Sequence, residues 1–332
     1  MRIAHVCVTE AFAGTERYVV EVAQAQRDSG QDVTVVAGGP VREALLGVRS
    51  LSGGTVREAL VSLARVRCDI VHCHLTYAEA CGVLTAAAHG GACVSTRHIA
   101  RARGASKAGR LLRPLIERRL ALEIAISSYV AEAVGRPCVV LPNGVSCRPN
   151  RAKSMSRNAL LAQRLEPEKS SRVAIDAWLA SGLPAAGWRL DVAGDGAERG
   201  ALERLVEGHP NGSSVRFLGQ VSDVAARLRE AAVVLAPASV DGLGLTVLEA
   251  MAEGSVVLAA QGGGHIESLP TDYPYFFRPG DVDSAARKLE QIASDRAAWS
   301  ATGRRLQERQ RAHFSTASHV DRLQDLYTSV MG

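Results

Sequence analysis

Along the chain, short apolar runs bounded by polar or glycine-rich turns alternate with longer stretches whose apolar positions recur at helical spacing. That alternation predicts parallel strands joined by crossover helices. In the first half it places strands at Arg2–Val8, Asp32–Ala37, Ile70–His74, Ala92–Thr96, Glu123–Ile126 and Cys138–Leu141. In the second half strands fall at Ala159–Ala162, Arg189–Ala193, Val215–Leu218, Val233–Ala236 and Val256–Ala259. Between the halves, "PNGVSCRPNRAKSMSRN" is rich in Pro, Asn, Ser and Arg and lacks apolar periodicity, so it reads as a linker, with the boundary near residue 150. The tail from Asp295 is helical by pattern, interrupted at Phe314 and Ser315. The expectation is an α/β chain of two Rossmann-like, doubly wound parallel-sheet domains, residues 1–148 and 149–312, followed by a helical segment 313–332.

Composition is consistent with this. A chain of 332 residues, 47% hydrophobic and 22% charged, can bury two cores. No stretch approaches the roughly 20 apolar residues of a membrane span. The start "MRIAHVCV" runs into a strand without a signal-peptide pattern, so a cytoplasmic chain is expected. The 7 cysteines are odd in number and mostly lie in apolar runs, which suits packed thiols better than a disulfide scaffold. His72, Cys73 and His74 alternate along one strand and cannot all converge on an ion, so no metal is expected from them.

The formal charge is +5, and Arg101, Arg103, Lys107, Arg110, Arg113, Arg118 and Arg119 against Glu117 concentrate that excess in residues 101–119. Leu111, Leu112, Leu115, Ile116 and Leu120 interleave with the cations at helical spacing. The pattern suits a solvated helix face, or peripheral contact with an anionic membrane or an acidic acceptor, and Pro114 argues against one uninterrupted helix. No aromatic residue sits among these cations, which points away from nucleic acid.

Three segments carry candidate chemistry. Gly14 precedes a helix starting near Thr15 or Glu16, where free amides and the dipole favour an anion, although a glycine there often only makes the turn. Neither an NAD fingerprint nor a Walker lysine accompanies it. In "AQRLEPEKS", Arg164 and Lys169 follow a strand on the loop at its carboxyl end, a place where two cations can hold a diphosphate and neutralise it as it leaves; a solvated basic turn is the bland alternative. In "APASVDGLGLTVLEAMAEGSVVLAAQGGGHIE", a strand leads to Asp241, a glycine-spaced turn, a helix carrying Glu249 and a second strand ending at Gly262–Gly264. Amides from Leu243 through Gly244 and Leu245 to Thr246 would point free N–H groups at a phosphate, while Asp241 as a cap and Glu249 as a surface acid are the plain alternatives. Asp281–Asp283, "DVD", follows Pro279 and Gly280 and opens a helical run, so capping explains it and no obligatory metal is expected.

The pieces "AGTER", "STRH", "LPNGV", "RLEPEK", "VAGDGAERGALE", "VRFLG" and "DGLGLTVLEAMAEG", in this order through both halves, resemble the retaining GT-B glycosyltransferases of family GT4. The resemblance implies two Rossmann-like domains facing a central cleft, with the last helix crossing back to the first domain. It implies sugar transfer, with retention, from a nucleotide sugar, UDP-linked, to a hydroxyl of a small-molecule, oligosaccharide or lipid-linked acceptor, without an obligatory cofactor. It assigns Arg164 and Lys169 to the diphosphate, Asp241 to the donor sugar's hydroxyls, Glu249 to the ribose and Gly14 to the β-phosphate side. His98 would sit near the transferred sugar, and Gly219, Gln220 and Val221 would border the base. The family's acidic pair is usually two glutamates; this chain keeps the spacing and puts aspartate first, one carbon–carbon bond shorter. Competing classes are a nucleotide-sugar epimerase or hydrolase on the same fold and a non-catalytic sugar-nucleotide-binding protein. A pyridoxal-phosphate phosphorylase is remote, since no cofactor lysine stands out. Arginine, alanine and glycine usage suggests a GC-rich bacterial genome. This is compatible with an actinomycete antibiotic pathway of orthosomycin type, and equally with envelope glycoconjugate synthesis at the inner membrane face.

Overall fold

The computed structural model describes residues 1–101, 103, 107–149, 156–221 and 223–331, with backbone alone for 107–111. The chain divides into two units, Met1–Gly144 with the segment from Thr316 onward, and Val145–Ser315.

In the first unit, strands β1 (Arg2–Cys7), β2 (Asp32–Ala37), β3 (Arg49–Ser52), β4 (Ile70–His74), β5 (Ala92–Arg97), β6 (Leu122–Ala125) and β7 (Val139–Val140) form one sheet in the order β3-β2-β1-β4-β5-β6-β7. All of its neighbouring strands run parallel. The helices between them are α1 (Gly14–Asp28), α2 (Gly39–Ala44), α3 (Val56–Leu63), α4 (Thr76–Leu84), α5 (Ala86–His89), α6 (Lys107–Arg119) and α7 (Ser128–Val134). In the second unit, β8 (Asn158–Ala162), β9 (Arg189–Ala193), β10 (Val215–Gly219), β11 (Val233–Ala236), β12 (Val256–Ala260) and β13 (Phe276–Phe277) order as β10-β9-β8-β11-β12-β13, again parallel. Its helices are α8 (Ser171–Ala180), α9 (Arg199–Glu207), α10 (Val224–Glu230), α11 (Leu245–Ala252), α12 (His265–Ser268), α13 (Val282–Ser294) and α14 (Arg296–His313); α15 (Thr316–Ser329) belongs to the first unit.

The first sheet is covered on both faces, as parallel sheets require. On one face Ile3, Cys7, Val35, Ile70 and Val94 pack with Tyr18, Val19 and Val22 of α1 and with Val320, Leu323 and Tyr327 of α15. On the other, Val6, Val71, Cys73 and Cys93 meet Ala59 and Leu63 of α3 and Ala78 and Cys81 of α4. All 7 cysteines are unpaired. Among the described residues no helix is long and apolar enough to cross a membrane.

Local chemistry sets the element ends. The Asp281 carboxylate accepts from the Ser284 N–H at 2.8 Å and caps α13, which accounts for the "DVD" run. Two edge strands escape the hydrophobic pattern: β3 is "RSLS", half exposed, and β13 is only Phe276–Phe277. Their pairing is set by neighbouring strands rather than by their own alternation.

Two readings of the basic segment are corrected. The helix α6 continues through Pro114, which lacks an N–H for its i−4 carbonyl, while the buried Ile116 anchors the turn beyond it. Arg103 is no surface cation. Its guanidinium is buried, with Nε donating to Glu79 Oε2 at 2.6 Å and Nη2 donating to Glu123 Oε1 at 2.5 Å. Arg97 adds a second guanidinium, 3.4 Å from Glu79 and 3.9 Å from Glu123. Arg101, Arg113, Arg118 and Arg119 remain exposed, Arg113 pairing with Glu117 at 2.8 Å. The side chains of Lys107, Arg110 and Leu111 lie outside the described residues.

Candidate functional site

Strand order in an open parallel sheet fixes where a ligand fits: at the carboxyl ends of the two strands from which successive connections run in opposite directions. In the second unit those strands are β8 and β11, since β9 and β10 extend one way from β8 while β12 and β13 lie beyond β11. The loop after β8 carries Arg164 and Lys169, and the loop after β11 carries Asp241 and leads into α11.

Both loops are held from several sides. Gln163 Nε2 donates to the Lys169 carbonyl and to Ser171 Oγ, each at 2.9 Å, and the Leu165 N–H donates to the Asp195 carbonyl at 2.9 Å. Gly194 adopts φ +137° and lets the β9 loop lie on Gln163, where a Cβ would stand 1.9 Å from the Gln163 carbonyl oxygen. On the other loop, the Gly264 N–H donates to the Asp241 carbonyl at 2.8 Å, and Thr246 Oγ1 donates to the Ala162 carbonyl at 3.2 Å, tying the start of α11 to the end of β8.

The result is a direct pair: Lys169 Nζ donates to Asp241 Oδ2 at 2.7 Å. Burial by itself would raise the Asp241 carboxyl, but Lys169, with His265 and the Gly244 amide, holds it below the ordinary range. His265 is buried and its Nδ1–H donates to the Ala260 carbonyl at 3.2 Å; burial lowers its pKa although Asp241 pulls the other way.

Asp241 does not act as the helix cap. The residue before α11 is Gly244, in the left-handed region at φ +82°. A Cβ there would lie 2.8 Å from His265 Cδ2. Gly244→Ala is therefore expected to destabilise the second unit by about 1–3 kcal/mol, through backbone strain and the clash. A thermal melt unchanged from wild type would contradict this.

Arg164 is not brought to that pair. Its guanidinium donates to Glu168 at 2.9 Å and its side chain is 57% exposed. Glu249 is half-buried on α11, and Gly219 and Val221 lie at and just after the end of β10. Gly219 takes φ +66° and its carbonyl accepts from the Gly194 N–H at 2.7 Å.

Gly14 and His98 belong to the first unit. Gly14 opens α1, but the Glu16 carboxylate already accepts from the Ala13 N–H at 2.8 Å, so one amide at this helix start is occupied. His98 directly follows β5 and is buried.

Around His98 lies a set of residues that sequence reading missed. β1 and β4 pair with His5 opposite His72, so His5, His72 and His74 share one face of the sheet. Their nitrogens lie within 4.8 Å of one another, an arrangement that could hold a metal ion. Each of these nitrogens, however, already has a hydrogen-bond partner. His5 lies between Gln26 at 2.6 Å and His74 at 3.0 Å, and His72 between Tyr327 at 2.6 Å and Thr96 at 2.7 Å. His74 reaches His98 at 3.2 Å, and His319 reaches Tyr18 and the Pro142 carbonyl, each at 2.8 Å. Burial lowers the rings: His5 and His319 to about 4, His98 to about 3, and His72 and His74 well below the ordinary value. The available signal was the alternation of Ile3, His5 and Cys7, which puts a histidine among inward-facing positions.

Comparison with known proteins covers both units. The family model "Glycosyl transferases group 1" matches residues 147–313, and "Glycosyltransferase Family 4" matches residues 12–148. A phosphatidyl-myo-inositol mannosyltransferase of Mycolicibacterium smegmatis is 27% identical over 300 residues, 78% of this chain and 76% of that protein. A sulfoquinovosyl transferase of Arabidopsis thaliana is 34% identical over 114 residues, 32% of this chain and 22% of its own length. An exopolysaccharide phosphotransferase of Streptomyces coelicolor is 28% identical over 241 residues, 69% of this chain and 25% of its own length. The chain thus matches about a quarter of the length of these last two relatives. In fold it is similar to Anabaena HepE crystallised with UDP and glucose, with a TM-score of 0.82 at 18% identity, covering 99% of this chain and 100% of that one. It is also similar to the sucrose-phosphate synthase of Thermosynechococcus elongatus, with a TM-score of 0.77 at 19% identity, covering 99% and 98%.

Proposed function

The chain belongs to the glycosyl transferases group 1 family, and from that footing we propose that it transfers a sugar, with retention, from a UDP-linked donor to an acceptor hydroxyl. The observation that carries this reading is the Lys169–Asp241 pair at the point where strand order reverses in the second sheet. A cation there suits a diphosphate, and a carboxylate beside it suits sugar hydroxyls.

In the proposed reaction the acceptor oxygen bonds to the anomeric carbon as the bond from that carbon to the phosphate oxygen breaks. The electron pair goes to the departing diphosphate, whose oxygen takes the proton that the acceptor hydroxyl loses. Lys169, Arg164 on turning from Glu168, and the amides of Leu245 and Thr246 at the start of α11 stabilise that growing charge. Asp241 receives donor-sugar hydroxyls and Glu249 the ribose, while Gly219 and Val221 border the base. Gly14 is assigned to the β-phosphate side and His98 to the transferred sugar, both on family resemblance. Peripheral contact with an anionic membrane or acidic acceptor would use the exposed Arg113, Arg118 and Arg119.

The Lys169–Asp241 pairing gives a signed test. Lys169 is partly neutralised by Asp241, so Asp241→Asn is expected to tighten UDP itself while lowering turnover of the UDP-sugar. Lys169→Ala is expected to weaken UDP about tenfold, the loss of one partly exposed charge-assisted contact. Calorimetry with UDP, dTDP, GDP and ADP, with and without magnesium, measures this. Binding of none of the four would remove the donor site from this loop pair.

A further inference from the structure

We infer that Gln26 sets the tautomer of His98 through a head-to-tail chain of two buried imidazoles, His5 and His74. These three act as positioning residues for the reaction; this rests on the role proposed for His98. The chain runs from Gln26 Oε1 to His5 Nε2 at 2.6 Å, from His5 Nδ1 to His74 Nε2 at 3.0 Å, and from His74 Nδ1 to His98 Nε2 at 3.2 Å. Its origins are far apart in sequence: Gln26 on α1, His5 on β1, His74 at the end of β4 and His98 just after β5.

A neutral imidazole has one N–H and one lone pair, so neutral rings joined nitrogen to nitrogen must all point the same way. Gln26 Oε1 can only accept, which makes His5 Nε2 the donor and leaves its Nδ1 as acceptor. His74 must then donate from Nε2 and accept at Nδ1. His98 in turn donates from Nε2, and its Nδ1 carries the lone pair. Reversing the end group reverses every ring, and His98 would then present an N–H instead.

The surroundings keep the rings neutral, as the chain requires. His5 and His74 are fully buried, and burial, joined at His74 by neighbouring imidazoles, disfavours the protonated forms. A second proton on any ring would also set one N–H against another. The neighbouring branch is fixed independently: the Pro142 carbonyl can only accept, so His319 is protonated at Nδ1 and takes the Tyr18 O–H at Nε2. For His98, a lone pair at Nδ1 is a hydrogen-bond acceptor for a hydroxyl, the group that both a donor sugar and an acceptor substrate offer.

The test reads protonation directly. Long-range proton–nitrogen correlation spectra of the full chain, labelled with nitrogen-15 at histidine and assigned with single His→Gln variants, report which nitrogen of each ring carries hydrogen. His5, His74 and His98 are expected to be protonated at Nε2 in the wild type. Gln26→Leu and, independently, His5→Phe cut the chain from its anchor, and His98 should then show Nδ1–H in a fraction on the order of half. With a UDP-sugar that the wild type turns over, kcat should fall about twofold or more while the donor KM stays unchanged. Nδ1–H at His98 in the wild type, or an unchanged His98 pattern in a folded Gln26→Leu or His5→Phe chain, overturns the inference. The spectra decide it even if one variant fails to fold. Absence of sugar transfer by the wild type would fail the functional reading and leave the tautomer result standing.

Discussion

Arg103→Leu is expected to cost about 3–5 kcal/mol in the first unit, the range for removing one partner of a buried ion group. Glu79 is fully buried and Glu123 nearly so, and Arg103 donates to both. Burial would raise the Glu79 carboxyl, yet the paired guanidiniums of Arg103 and Arg97 hold it below its ordinary value. Burial would likewise lower Arg103, and the two carboxylates outweigh it, raising its pKa. Leucine fills much of the volume but leaves the two carboxylates only longer contacts, with Arg97 at 3.4 Å from Glu79 and 3.9 Å from Glu123, and with Arg136 at 3.4 Å from Glu123. Against a usual net stability of about 5–15 kcal/mol, that loss is a large fraction. Chemical denaturation followed by a probe in the first unit measures it. Adding Glu79→Gln should recover part of the loss, because it removes one uncompensated charge. A midpoint within error of wild type would show that the network does not hold the unit together.

The second large effect is acid sensitivity well above the usual carboxylate range. His5, His98 and His319 have pKa values lowered to about 4, 3 and 4, and His72 and His74 are held well below the ordinary value by burial and by neighbouring imidazoles. The unfolded chain binds protons at these sites near pH 6.5, whereas the folded one does not until the pH approaches 4. Between those values the unfolded state holds more protons, so stability falls as pH falls and is fully present above about 6.5. Each such proton steepens the fall by about 1.4 kcal/mol per pH unit. Denaturation midpoints at pH 7.5, 6.0 and 5.0 should drop with a slope greater than one proton, and His72→Gln should flatten it if it folds. A flat profile between pH 7 and 5 would mean that the cluster is charged or solvated in the folded chain.

The two sheets and the loops that carry Arg164, Lys169 and Asp241 were legible because each rests on a local rule. Apolar runs such as Val33–Ala37 and Val256–Ala260 become buried parallel strands whatever surrounds them, and a loop following a strand emerges at its carboxyl end. Helix caps such as Asp281 are also local, since the bond spans three residues. Edge strands β3 and β13 were not legible, because β3 is half exposed and β13 is only two residues long, so their pairing partners supply the signal.

What the sequence by itself determined is thus the alternation of elements, the twofold α/β plan and the positions from which Lys169 and Asp241 could act. Tertiary structure decided which of those groups meet. Lys169 reaches Asp241 while Arg164 turns to Glu168. Arg103 leaves the basic run to join two carboxylates, and His5 comes into register with His72. The physical reason is that hydrogen bonds and ion pairs act over about 3–4 Å. Strand order and register, which a linear pattern does not contain, bring residues far apart in the chain within that distance.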